Sequence, residues 1–188
     1  DEDFIEYVHQ ANMHSTMMFF TEQGRLYWTK VYELPEGNRQ SKGRALQNMI
    51  NIQKGDKVCA FIHVKNLSDL EYVQNHYLIF ATKDGLMKKT TLESYSRPRA
   101  NGIIALGLRE DDRLIRVTLT DGNSQMLVAS YNGKVVRFPE DTVRPMGRTA
   151  TGVRAIKLDE DGQDRVIGMI CVEENSKESV LVISEKGF

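Results

Sequence analysis

The sequence contains no apolar stretch approaching the ~20 residues that a membrane-spanning helix needs. Its acidic start, Asp1-Glu2-Asp3, lacks the basic region of a secretory signal. A cytoplasmic protein is the default expectation. Cysteine is scarce: Cys59 and Cys171 each sit in an apolar run (58–64 and 166–172), where a reduced thiol behaves as a small hydrophobe, so no disulfide is expected. The four histidines, His9, His14, His63 and His76, share no ligand spacing with either cysteine, which argues against a metal site. There is no phosphate-cradling G-x-x-x-x-G-K-[ST] run, so nucleotide hydrolysis is not expected of this chain. An excess of positive charge is missing as well: the formal net charge is −1, which at first sight speaks against a nucleic-acid binder.

What is present is enough to fold. A composition of 40% hydrophobic and 27% charged residues lies far from that of disordered chains, and 188 residues can bury a sizeable core. The organising feature is a repeat. An apolar run, a short polar turn ending in glycine and a second strand recur at Met17–Gly24, Tyr77–Gly85, Met126–Gly133 and Val180–Gly187. Asp84-Gly85 and Asn132-Gly133 are turn dipeptides that tolerate positive φ, so these segments predict tight β-hairpins.

A second glycine follows the first three turn glycines after 19, 17 and 19 residues, at Gly43, Gly102 and Gly152, and opens a third strand: Ala45–Ile52, Ile103–Leu108 and Val153–Leu158. A fourth strand starts at Asp56-Lys57-Val58, Asp112-Arg113-Leu114 and Asp164-Arg165-Val166. Asp3-Phe4-Ile5 reads as the tail of a preceding copy. The implied units are 13–64, 65–119 and 120–172, with 1–12 closing a previous unit and 173–188 opening another. Four short strands per unit predict an all-β, propeller-like array whose units stack because none can bury its faces alone. Loops of about ten residues between strands two and three suit a strand that crosses to another position. The polar stretches 66–76 and 173–179 read as solvated connectors.

Charge is distributed unevenly along this repeat. Residues 21–52, 83–108 and 131–157 carry net charges of +2, +3 and +4, while 1–20 and 158–178 carry −4 and −5. The positive charge falls on the second strand and the long loop of each unit: Arg25, Lys30, Arg39, Lys42 and Arg44; Lys88, Lys89, Arg97 and Arg99; Lys134, Arg137, Arg144, Arg148 and Arg154. On a stacked array these would fall on one edge as a basic stripe able to track phosphates. One basic loop would mean only solvation; recurrence at matching repeat positions favours duplex binding through shape and bendability rather than base readout. A rival expectation is a propeller-type scaffold whose basic loops meet acidic protein surfaces.

The residues that carry catalysis elsewhere have simpler readings here. Asp111, Asp112, Asp159, Glu160 and Asp161 cluster in turns, where Asp bonds locally to backbone. Trp28 is expected as a core or inter-unit anchor. No catalytic residue is assigned.

The segments Phe19–Glu36 (FFTEQGRLYWTKVYELPE), Asn132–Phe138 (NGKVVRF), Arg148–Leu158 (RTATGVRAIKL) and Ala11–Phe20 (ANMHSTMMFF) resemble the repeats of the C-terminal domain of the gyrase A family, whose paralogue is the topoisomerase IV C protein. The resemblance spans essentially the whole chain. It implies a β-pinwheel, propeller-like blades with Greek-key crossings and a strand exchanged between neighbours, that bends DNA around its rim. It implies a bacterial, nucleoid-associated setting and a DNA gyrase that is an A2B2 holoenzyme with gyrase B. There ATP and Mg2+ would be used outside this domain to drive negative supercoiling. In the family a Gln- and Gly-rich basic heptapeptide lies upstream of the segment similar to Asp1–His9; Asn38–Arg44 is its nearest echo here.

Overall fold

The computed structural model describes residues 8–38, 40–160, 162–177 and 179–183. Asp3-Phe4-Ile5, Arg39, Asp161 and the end of the fourth hairpin copy lie outside the described residues. Val180–Ile183, the described part of that copy, carries no strand.

The strands in chain order are β1 (Thr16–Thr21), β2 (Arg25–Lys30), β3 (Val58–Val64), β4 (Tyr77–Thr82), β5 (Leu86–Thr91), β6 (Ile103–Ile104), β7 (Leu114–Thr120), β8 (Ser124–Ser130), β9 (Val135–Pro139), β10 (Val153–Arg154) and β11 (Val166–Glu173). They form three antiparallel sheets ordered β3-β1-β2-β6, β7-β4-β5-β10 and β11-β8-β9. The first three predicted hairpins are present as β1–β2, β4–β5 and β8–β9, and the fourth strands begin at Val58, Leu114 and Val166 as their sequence signature indicates.

The recurring aspartate has a mechanical role. Asp56 Oδ1 accepts from the Gln23 amide (3.1 Å) and the Lys57 amide (2.9 Å). Asp112 does the same for Asp84 (2.9 Å) and Arg113 (2.8 Å), and Asp164 for Asn132 (3.0 Å) and Arg165 (3.1 Å). Each carboxylate thus clips the start of the closing strand to the hairpin turn of its own sheet, satisfying turn amides that would otherwise lack partners.

The third strands are exchanged. β6 leaves the second unit to pair with β2 (Arg25↔Ile104, Leu26↔Ile103), and β10 leaves the third unit to pair with β5 (Val153↔Met87, Arg154↔Leu86). The glycines that open them permit the close approach. Gly102 has φ +65° and a Cβ there would stand 2.6 Å from the Leu26 carbonyl oxygen; Gly152 has φ +107° and a Cβ would stand 2.4 Å from that of Met87. The predicted strand Ala45–Ile52 is corrected: Leu46–Asn48 is a single 3-10 turn and the rest is irregular. A third strand needs the second strand of the preceding sheet as its partner, and among the described residues no strand precedes β1. Its apolar residues are used differently, with Ile50, Leu46 and Ile52 covering the Met17, Phe19 and Tyr27 face of the first sheet.

Stacking buries both faces of the middle sheet. Met18, Phe20 and Leu26 of the first sheet meet Leu78, Phe80 and Leu92 of the second unit, with the Phe20 and Phe80 rings edge to face at 5.6 Å. Ile79, Ala81 and Met87 then meet Met126, Val128, Val143 and Ile156 of the third unit. Each such side chain fully removed from water contributes about 1.5–3 kcal/mol, so the interfaces between units hold the array together. The connector 66–76 is more ordered than its polarity suggests: Leu70–Asn75 is a short helix, α1, capped by Asp69 accepting from the Tyr72 amide (3.1 Å), with Val73 fully buried.

Candidate nucleic-acid interface

The sheet order decides which side of the molecule the long loops occupy. The closing strands pack on one another, β3 against β7 and β7 against β11, and line one side. The opposite edges of the sheets carry β6, β10 and β9, and the loops that lead into β6 and β10 run along those edges.

On that edge, Arg97 and Arg99 are exposed in the loop entering β6, Arg144 is exposed and Arg148 half-buried in the loop entering β10, and Arg154 is exposed on β10 itself. Arg25 lies at the β2–β6 edge opposite Ile104, its guanidinium donating from Nη2 to the Asn101 carbonyl (3.1 Å) and from Nε to the Tyr27 hydroxyl (3.2 Å). Lys42 and Arg44 are exposed in the irregular segment that follows the first hairpin. Lys30 is half-buried at the end of β2, donating to the His14 carbonyl (3.4 Å). Lys134 is exposed at the third hairpin and ion-paired with Asp159, which also accepts from Asn132 Nδ2 (3.1 Å). The hydrogen bond from Lys134 is the first cause holding the Asp159 carboxyl below its ordinary value. Arg137 is exposed on β9, its Nε donating to Gln125 Oε1 at 3.4 Å.

Lys88 and Lys89 require correction. Both are buried, Lys88 at 0% and Lys89 at 4% exposure, so neither ammonium can meet a phosphate. Lys88 Nζ donates to the Ala105 carbonyl (2.7 Å), to the Tyr95 hydroxyl (3.3 Å) and to the Arg148 carbonyl, and lies 4.8 Å from the centre of the Phe80 ring. Burial first, and the Arg148 guanidinium second, push this ammonium down to about 7. Lys89 Nζ lies 2.9 Å from Glu140 Oε1 and 4.3 Å from the centre of the Tyr77 ring. The reason is positional: adjacent strand residues point to opposite faces, and in β5 both faces are covered by neighbouring units.

The repeat register explains the substitution of roles. Lys89 and Arg137 stand four residues after their turn glycines, the place Trp28 holds in β2. Trp28 Nε1 donates to the Tyr95 carbonyl (3.1 Å), as an inter-unit anchor should, so this position in the first two sheets reaches into the loop of the next unit. Glu140 and Tyr95, which receive these contacts, escaped the reading of the sequence.

Chain-wide comparisons agree with the architecture. Residues 15–65, 76–121 and 125–173 match the family model described as "DNA gyrase C-terminal domain, beta-propeller". The chain is 43% identical over 188 residues to the DNA gyrase A protein of Salmonella typhimurium strain LT2 and 42% identical over 188 residues to that of Staphylococcus aureus strain NCTC 8325. In each case the match covers 100% of this chain and 20% of the relative, so the chain spans about a fifth of their length. The C-terminal domain of DNA topoisomerase IV superposes with a TM-score of 0.75 at 27% identity, covering 85% of this chain and 48% of that one. A DNA gyrase A C-terminal domain superposes at 0.69 with 21% identity, over 88% and 50%. Three matched segments, one per sheet, and full-length identity to gyrase A proteins establish that the chain belongs to the DNA gyrase C-terminal domain family, with the β-propeller-type fold that this family carries.

Proposed function

We propose that the chain binds duplex DNA and bends it along the sheet edges that carry β6 and β10, as the DNA-wrapping part of a gyrase A protein. The observation that carries this reading is the gathering of exposed arginines from two successive units beside the exchanged strands. Arg97, Arg99, Arg144 and Arg154 are exposed on or beside the exchanged strands, on the edges opposite those where the closing strands pack together. A net charge of −1 is compatible with it, because the acidic residues concentrate elsewhere in the repeat. The exposed cations come mainly from loops, and loops of successive units can follow a curved backbone without reading bases. Arg25, Lys30, Lys42, Arg44, Lys134, Arg137 and Arg148 extend the candidate contact set; Arg39 lies outside the described residues.

The same reading places the chain in a bacterial, cytoplasmic DNA gyrase, a type II topoisomerase assembled with gyrase B as an A2B2 holoenzyme. ATP and Mg2+ would be used by other parts of that enzyme, and this chain would contribute wrapping without a catalytic residue. The identity of 42–43% to gyrase A proteins across the whole chain supports gyrase over its paralogue.

The test is a duplex carrying a donor and an acceptor dye at its ends, titrated with the chain over a salt series. Wrapping shortens the end-to-end distance, and log affinity falls against log salt with a slope of about −0.9 per phosphate contacted. Weak binding that is flat in salt and leaves the duplex straight would favour a protein-interaction scaffold instead.

A further inference from the structure

The loop 138–150 carries Arg144 and Arg148, and three of its polar ties to the rest of the molecule run to Lys88 and Lys89 of the neighbouring sheet. Glu140 is ion-paired with Lys89 Nζ; the Met146 amide donates to the Lys89 carbonyl (2.7 Å); the Arg148 carbonyl accepts from Lys88 Nζ. The Ala150 carbonyl, at the end of the loop, accepts from the Gly107 amide (3.3 Å). Glu140 in turn accepts from the Thr120 hydroxyl (2.7 Å) and the Ser124 amide (3.2 Å), so its carboxylate is fully engaged at the start of the third unit. Lys88 also holds the Ala105 carbonyl, just beyond the exchanged strand β6, and so joins the segment leaving β6 to the loop entering β10 through one ammonium.

A buried ammonium is costly and stability alone does not call for one, since apolar replacements of buried ion pairs are often neutral or better. At the matching positions β2 carries Tyr27 and Trp28, which pack without a formal charge. What the two lysines add is directional bonding to the loop, Lys88 to the Arg148 carbonyl and Lys89 to the buried Glu140 carboxylate. We infer that Lys88 and Lys89 are positioning residues for duplex binding, holding the loop so that Arg144 and Arg148 are in place before DNA arrives. This rests on the duplex-binding reading above and gives it a mechanism: a loop ordered in advance loses less freedom on binding.

A mutant cycle on duplex affinity tests it. In the parent chain Arg144→Ala weakens binding about threefold to tenfold and reduces the salt slope by about one. In the Lys88→Met background the same substitution adds less than a twofold loss and leaves the slope unchanged, because the loop no longer presents Arg144. A residue that merely stabilised the fold would leave the two losses multiplicative. Should Lys88→Met fail to unfold cooperatively, the Lys89→Met/Glu140→Gln pair, which strands no lone charge, decides the same question by the same comparison. Full multiplicativity in the deciding background overturns the inference, as does an Arg144→Ala variant that binds like a DNA-binding parent. A parent chain that does not bind duplex at all removes the functional reading itself, a result separable from either.

Discussion

Lys89 Nζ and Glu140 Oε1 lie 2.9 Å apart with their side chains 6% and 0% exposed, an ion pair sealed between the second sheet and the loop of the third unit. Removing one partner strands the other charge in the interior. Lys89→Met should therefore lower the unfolding free energy by about 3–5 kcal/mol. Lys89→Met/Glu140→Gln should recover much of that loss, since an amide oxygen still serves Thr120 or Ser124. Denaturant unfolding of the three proteins checks both values.

The glycines at matching positions of the repeat make a graded prediction. Gly152→Ala would force a Cβ to 2.4 Å from the Met87 carbonyl oxygen, whereas at Gly43, where φ is likewise positive at +69°, nothing lies within 4 Å. Gly43→Ala should cost only the backbone conformational term of about 1–2 kcal/mol. Gly152→Ala should cost more and should loosen the β5–β10 pairing, read as faster amide exchange on the Leu86–Arg154 edge.

Lys88 makes stability depend on pH in a defined direction. Its ammonium is pushed down to about 7 in the folded chain from an ordinary value of 10.5. Above pH 7 the unfolded chain binds this proton more tightly than the folded one, so unfolding takes up a proton and stability rises with pH. Below 7 both states are protonated and the burial penalty is present in full. The window to read is pH 7 to 8, where the unfolded-state thiols of Cys59 and Cys171, with an ordinary value of 9.0, are still mostly protonated. The parent should gain stability across it, and Lys88→Met should show a flatter profile.

The two cysteines should be inert in the native chain. Burial pushes both thiols up to about 12 from 9.0, with Glu22 and Asp56 adding to the effect at Cys59 and Glu140 at Cys171. A shift of that size lowers the thiolate fraction at pH 8 by about a thousandfold. Both cysteines are half-buried, and alkylation by iodoacetamide should be slow for the folded protein and fast in denaturant; rapid labelling of the native chain would contradict the raised thiols.

Local chemistry made much of this molecule legible beforehand. Turn dipeptides such as Asn132-Gly133 specify hairpins through their own φ preferences, and Asp56, Asp112 and Asp164 bond to amides one residue away as well as to the turn, so the fourth strands could be placed from short-range signals. Ala45–Ile52 was not legible in this way. It shares the repeat pattern of the other third strands, but a strand exists only with a partner, and its apolar side chains settled on the first sheet instead.

The chain's residues by themselves determined the repeat, the hairpins, the starts of the closing strands and the uneven placement of charge along each unit, because each depends on neighbours within a few positions. Tertiary structure alone decided which cations face outward. Lys88 and Lys89 look no different in sequence from Arg97 and Arg99, yet stacking buries both faces of β5 and leaves the loop to solvent. Strand alternation distinguishes two faces but cannot tell which of them another sheet will cover, so the same charge became a fastener in one place and a candidate phosphate contact in the other.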